Sequence, residues 1–148
     1  MLGFFSDNRG VLFETIYVSA AKRLFADAEL STLLDQSRTN NERDGITGML
    51  LYSDGVFLQI LEGPESPVRA ALSRIMEDKR HRGIILLTEE ATPERSFDNW
   101  TMGFARASQK DLLALKGSND FFASGKTLRE MEPGRAKRLL QTFRRSNP

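Results

Sequence analysis

A chain of 148 residues, 40% hydrophobic and 28% charged, holds enough material for one domain with a sizeable core and one appended element. Its formal net charge of +1 gives no global case for nucleic acid, so that partner is not expected. The absence of cysteine excludes disulfides and thiolate chemistry, and a single histidine, His81, excludes a histidine-based metal cluster within one chain.

Val11–Ser19 is β-branched and aromatic enough for a strand, with Thr15, Tyr17 and Ser19 on one face and Glu14, Ile16 and Val18 on the other. Asp27 opens a helix in which Leu30, Leu33 and Leu34 recur at helical spacing, and the pair Asn40-Asn41 is expected to end it. Residues 45–63, GITGMLLYSDGVFLQILEG, read as a hairpin around Ser53-Asp54-Gly55. Inside its second strand Gln59 shares a face with Phe57 and Leu61. A buried primary amide left unpaired costs about 1–3 kcal/mol. A bound ligand, an amide of a neighbouring strand or a buried water would each meet it. Pro64 and Pro67 open a second helix with Val68, Ala71, Leu72, Ile75 and Met76 at spacings of three and four, and Lys79-Arg80-His81-Arg82-Gly83 is placed at its end. Gly83–Thr88 is a continuous apolar run, the pattern of a strand buried on both faces. Trp100–Phe104 is expected as a short last strand with Trp100, Met102 and Phe104 on one face. The order predicts an α+β, ferredoxin-like βαββαβ plan with an extra last strand.

The tail differs in character. Residues 106–148 hold ten Lys/Arg against four Asp/Glu, while residues 1–105 hold eleven against sixteen. That asymmetry points to intramolecular docking or an acidic partner, unless both faces are simply solvated. Ser108–Asp111 forms a capping box for a helix that Gly117 can end. Glu132-Pro133 opens a final helix whose stripe is Ala136, Leu139, Leu140 and Phe143. The hairpin face of Val56, Leu58 and Ile60 is a surface for such helices, so they are expected to pack on the sheet or to pair with another subunit. A body of residues 1–105 and a helical extension of 106–148 follow.

Several motifs fail. Ser124-Gly-Lys-Thr127 resembles the end of a phosphate-binding loop, but Asp120 stands where a glycine is needed. Glu62 and Glu65 carry no further sign of paired-carboxylate chemistry, and no nucleophile–base pair is readable, so no catalytic residue is expected. No apolar run reaches the roughly eighteen residues of a membrane span, and Met1–Ser6 is a poor signal peptide. A cytoplasmic, bacterial protein is expected.

The polar residues inside this framework form a set: Tyr17, Asn40 and Asn41, Gln59, then Trp100 and Met102. With their spacing, the run GITGMLLYSDGVFLQILEGP and the run WTMGF, the chain resembles the BLUF family of flavin-using blue-light receptors from about Thr15 to Phe104. The resemblance implies a non-covalent flavin, FAD by family habit with FMN or riboflavin as alternatives, held between two helices by Leu33 and Ile75. Those two would equally serve as ordinary core. It implies polar contacts from Asn40, Asn41, Arg80 and His81, and a photoactive set of Tyr17, Gln59, Trp100 and Met102. In the family, light moves an electron and a proton from the tyrosine and returns both. The glutamine is left rotated or tautomerised, and its new hydrogen bond shifts absorption to the red. The lack of cysteine excludes the rival cysteinyl–flavin adduct. A tail too short for an effector domain implies a separate downstream signalling protein and a homo-oligomer. The rival readings are a light-independent flavoenzyme and a ferredoxin-like ligand-sensing or interaction module.

Overall fold

The computed structural model describes residues 11–114, 119–126 and 128–146. In chain order these form β1 (Leu12–Ala21), α1 (Asp27–Asp44), β2 (Thr47–Ser53), β3 (Val56–Gly63), α2 (Glu65–Glu77), β4 (His81–Thr92), β5 (Gly103–Arg106), α3 (Gln109–Leu113), α4 (Asn119–Ala123), a 3-10 turn (Leu128–Glu130) and α5 (Pro133–Ser146). The sheet order is β4-β1-β3-β2-β5. The first four strands are antiparallel to their neighbours, and β5 runs parallel to β2. The expected ferredoxin-like α+β plan with an added strand is therefore the fold.

Register originates in the hairpin. Asp54 and Gly55 both have positive φ, 48° and 82°, the pair that a two-residue type I′ turn demands. That turn sets Leu50 opposite Gln59. Strand alternation then divides the sheet into two faces. One face carries Phe13, Leu50, Tyr52, Phe57 and Leu61 against Leu30 and Leu34 of α1 and Val68 and Ala71 of α2. The other carries Ile16, Val18, Met49, Leu51, Leu58 and Ile60 against Leu112, Phe122, Leu128 and the stripe Ala136, Leu139, Leu140, Phe143. The C-terminal helices thus pack on the sheet. One tail cation takes part in that docking: Lys137 reaches the buried Glu14 at 2.9 Å. Arg106, in β5, pairs instead with Asp27 at the start of α1.

Five local expectations need correction. The Asn40-Asn41 pair does not end α1, which runs on to Gly45, a left-handed cap at φ 72°. Glycine takes that conformation without penalty, whereas Asn41 is spent elsewhere. Arg80 and His81 do not sit on the end of α2; the helix stops at Glu77, and His81 is the first residue of β4. The apolar run 83–88 is not buried on both faces. It lies in an edge strand paired only with β1, and Ile85 and Leu86 are 39% and 38% exposed. A run of apolar residues reports strand character but not sheet position. In the tail, the capping box holds, with Asp111 N–H donating to Ser108 Oγ and Ser108 N–H to Asp111 Oδ2. Its helix stops at Leu113, however, and α4 and the 3-10 turn were not foreseen; Gly117, Thr127 and Met1–Ser6 lie outside the described residues. The boundary expected after residue 105 falls within β5.

Glu62 proves structural. Its side chain is wholly buried, and its carboxylate accepts N–H bonds from Ser96 at 2.7 Å and Phe97 at 2.6 Å, anchoring the loop that leads to β5. Burial nevertheless pushes its carboxyl above the ordinary value of 4.5, against the pull of those bonds and of Arg95, with Glu14 adding to the rise. A carboxyl raised by folding binds its proton more tightly in the native state. Its contribution is full below 4.5 and is lost as pH rises through the raised value. Urea midpoints of the native chain and Glu62→Gln should therefore diverge in favour of the native chain as pH falls from neutral towards 4.5. A difference constant over that range would contradict the assignment.

Candidate functional site

Between α1 and α2, above the sheet, lies a cleft in two adjoining lobes. Leu33 of α1 and Ile75 of α2 line both lobes as apolar walls, with Ser37, Gln59, Asp78 and Arg80 also common to both. Tyr17, Phe25, Leu50, Phe57 and His81 complete the first lobe; Asn40, Asn41 and Arg74 are in the second.

The floor is set by strand register. Tyr17 of β1 and Gln59 of β3 are direct cross-strand partners. Tyr17 Oη donates to Gln59 Oε1 at 2.5 Å, and Gln59 Nε2 donates to Met102 Sδ at 3.2 Å. Both side chains are buried. A thioether is a weak acceptor, so the Gln59–Met102 bond is the cheaper of the two to exchange. Burial, and then the negative charge of Asp78, push the Tyr17 phenol well above its usual value of 10.0. The phenol therefore keeps its proton across the physiological range.

His81 is held through both ring nitrogens. Nε2 donates to the Ile75 carbonyl at 2.6 Å, and Nδ1 lies 2.8 Å from Ser19 Oγ. The ring meets Tyr17 and Phe57 edge-on. Arg80 forks onto Asp78, with Nε 3.0 Å from Oδ1 and Nη2 2.5 Å from Oδ2. Its guanidinium holds the Asp78 carboxyl below the ordinary range. A ligand carbonyl wanting Arg80 must compete with that carboxylate. Asn41 Nδ2 donates to the Thr101 carbonyl at 2.7 Å, so the amide ties α1 to the segment before β5.

The photoactive set expected from sequence is brought together except for one member. Met102 enters the core on the cleft side of the sheet. Trp100 does not share its face: it precedes β5 and packs against the opposite core, under the tail. Alternation predicted one face for both because it assumed a strand from 100 to 104. The backbone bends at Thr101 and Met102, so the extended run starts only at Gly103. Sequence reasoning also missed Arg38, whose Nε donates to the Met102 carbonyl at 3.0 Å, and Asp78. Arg38 lies three residues before Asn41 and hence on the same helical face.

A family model described as sensors of blue-light using FAD matches residues 12–103 of the chain. A photoactivated adenylate cyclase subunit alpha of Euglena gracilis is 33% identical over 88 residues, 60% of this chain but 9% of that protein. A blue light- and temperature-regulated antirepressor of Escherichia coli K12 is 32% identical over 69 residues, 47% of this chain and 17% of that one. The chain thus spans a small part of these curated relatives. Among solved structures, a dark-state BLUF protein, BlrB, has TM-score 0.67 at 30% identity, covering 84% of this chain and 93% of that one. The photo-activated state of BlsA has TM-score 0.74 at 26% identity, covering 88% and 93%.

Proposed function

The chain belongs to the BLUF family, the flavin-binding sensors of blue light, and from that membership we propose that Tyr17 and Gln59 form its light switch. The BLUF module is a photosensor and not an enzyme. The observation that carries the switch is the 2.5 Å bond from Tyr17 to the amide oxygen of a glutamine whose amide nitrogen donates to a methionine sulfur.

The cleft suits a flavin: apolar walls for a flat ring, amides and guanidinium groups for carbonyls and ring nitrogens, and an arginine rim at Arg74 for a phosphorylated chain. Leu33 and Ile75 would hold the ring faces, with Asn40, Asn41, Gln59 and Arg80 at its polar edge and His81 bracing Tyr17. FAD is the form we assign. Bound flavin supplies the blue absorption and an excited state able to take up an electron. Tyr17, the tyrosine of this cleft, holds its proton on a short bond aimed at Gln59 Oε1. Gln59 has two ways to reverse its donor pattern. Rotation exchanges Oε1 and Nε2. Alternatively, a proton gained at Oε1 and one lost from Nε2 give the imidic tautomer. Rotation breaks the Nε2–Met102 bond, whereas the tautomer keeps one N–H on Nε2 and breaks it only where the proton lost is the one aimed at Sδ.

We further assign the protein to the cytoplasm, as a homo-oligomer that signals to a separate protein. The exposed Ile85 and Leu86 on edge strand β4 support self-association. Among the described residues no helix is long and apolar enough to cross a membrane, and no acidic or histidine cluster could hold a metal.

Purified protein should be yellow, and blue light should give a small, reversible red shift. Colourless protein that takes up no added flavin would sink the reading. Bleaching to a stable adduct, or reduction without a shift, would redirect it to other flavin chemistry.

A further inference from the structure

The segment Ser96–Met102 is gripped from both faces of the sheet. On the cleft side, Met102 Sδ accepts from Gln59, and the carbonyls of Thr101 and Met102 accept from Asn41 and Arg38. On the tail side, Arg144 of α5 donates from Nη1 to the Ser96 carbonyl at 2.8 Å and from Nη2 to the Asp98 carbonyl at 3.4 Å. Its guanidinium also lies 5.7 Å from the Trp100 ring and 5.9 Å from the Phe97 ring.

We propose that Arg144 is the positioning residue through which α5 reads the state of the Gln59–Met102 contact, by its grip on the loop before β5 and on Trp100. The inference rests on the light-switch reading above. Trp100 and Met102 are two residues apart but on opposite sides of the sheet. The intervening backbone has little slack: the Trp100 carbonyl accepts from Gly48 N–H at 2.9 Å, and Trp100 N–H donates to Phe97 O at 3.1 Å. The indole lies on Gly103, where a Cβ would fall 1.9 Å from Trp100 Cε3. A shift at Met102 that displaces Trp100 must therefore slide the indole under Arg144 or carry Arg144 with it. A planar guanidinium suits both jobs, facing aromatic rings while forking onto two carbonyls; a lysine could not do both. Two turns earlier on α5, Lys137 is pinned independently to Glu14 of β1. Over seven residues that anchor is about 10 Å away along the helix. Movement at the Arg144 end thus becomes a tilt of α5 about Lys137.

The test is hydrogen exchange of the full chain in dark and light, with absorption recorded on the same samples. Wild type should show a light-minus-dark difference in residues 133–143. Arg144→Gln should keep the red shift and lose that difference; an undiminished difference overturns the inference. A merely structural arginine would raise exchange equally in both states and leave the difference standing. If α5 of Arg144→Gln is already unprotected in the dark, Gly103→Ala decides. Its Cβ forces the indole off its bed with Arg144 intact. Exchange of its α5 in the dark should then approach that of lit wild type, and wild-type dark exchange overturns the inference. Wild type without a red shift would instead overturn the light-switch reading.

Discussion

Gln59→Leu is expected to bind flavin and to lose its light response altogether. Leucine fills nearly the same volume on the same strand, so Leu33, Ile75, Asn40, Asn41 and Arg80 keep their places around the cleft. It offers no donor or acceptor to exchange. The buried Tyr17 hydroxyl loses its Gln59 partner, which costs about 1–3 kcal/mol of stability. The Met102 sulfur loses only a weak bond. Stability should therefore fall modestly while the red shift disappears. The check is an absorption difference spectrum together with a urea midpoint. A Gln59→Leu protein that still shifts to the red would remove glutamine from the switch and leave Tyr17 without the role assigned to it.

The hairpin was legible because its information is local. Asp54-Gly55 dictates the turn, and alternation then places Gln59 on one face with Phe57 and Leu61 without any tertiary knowledge, whereas its pairing with Tyr17 is a β1–β3 contact that the turn does not dictate. The tail stripe was legible for the same reason: Ala136, Leu139, Leu140 and Phe143 fall at helical spacing, and Leu58 and Ile60 offer the opposite face of the hairpin. The errors arose where the outcome depends on remote partners. Asn41 could pass for a helix terminator because nothing nearby in sequence reveals the Thr101 carbonyl that it meets. Ile85 and Leu86 gave the pattern of a central strand, yet sheet position is decided by which strands pair, not by composition. Trp100 and Met102 were assigned one face because two-residue spacing implies it within a strand; the strand begins after them. Arg38 and Arg144 bind backbone carbonyls, and a carbonyl leaves no trace in sequence.

Leu140→Ala should destabilise the whole molecule in one step. Leu140 is fully buried, and it shares a core with Leu58 and Ile60 of β3 and Ile16 and Val18 of β1. Truncating a buried leucine costs about 2–5 kcal/mol, because contacts are lost and the cavity relaxes only in part. Against a typical domain stability of about 5–15 kcal/mol, that is a large fraction. If residues 106–148 formed an independent extension, the loss would fall on the tail alone. The shared core argues otherwise: the sheet's second face has these helices as its cover, and removing them exposes strand residues. Trp100 is the single tryptophan and packs against this tail-side core, so its fluorescence reports the junction. Far-ultraviolet circular dichroism reports the sheet and helices together. In urea the two midpoints should fall by the same amount, as a two-state transition requires. A fluorescence midpoint that drops while the dichroism midpoint holds would show that the tail undocks on its own. It would also weaken the assignment of Arg144, because a tail free to leave the sheet could register the light state without it.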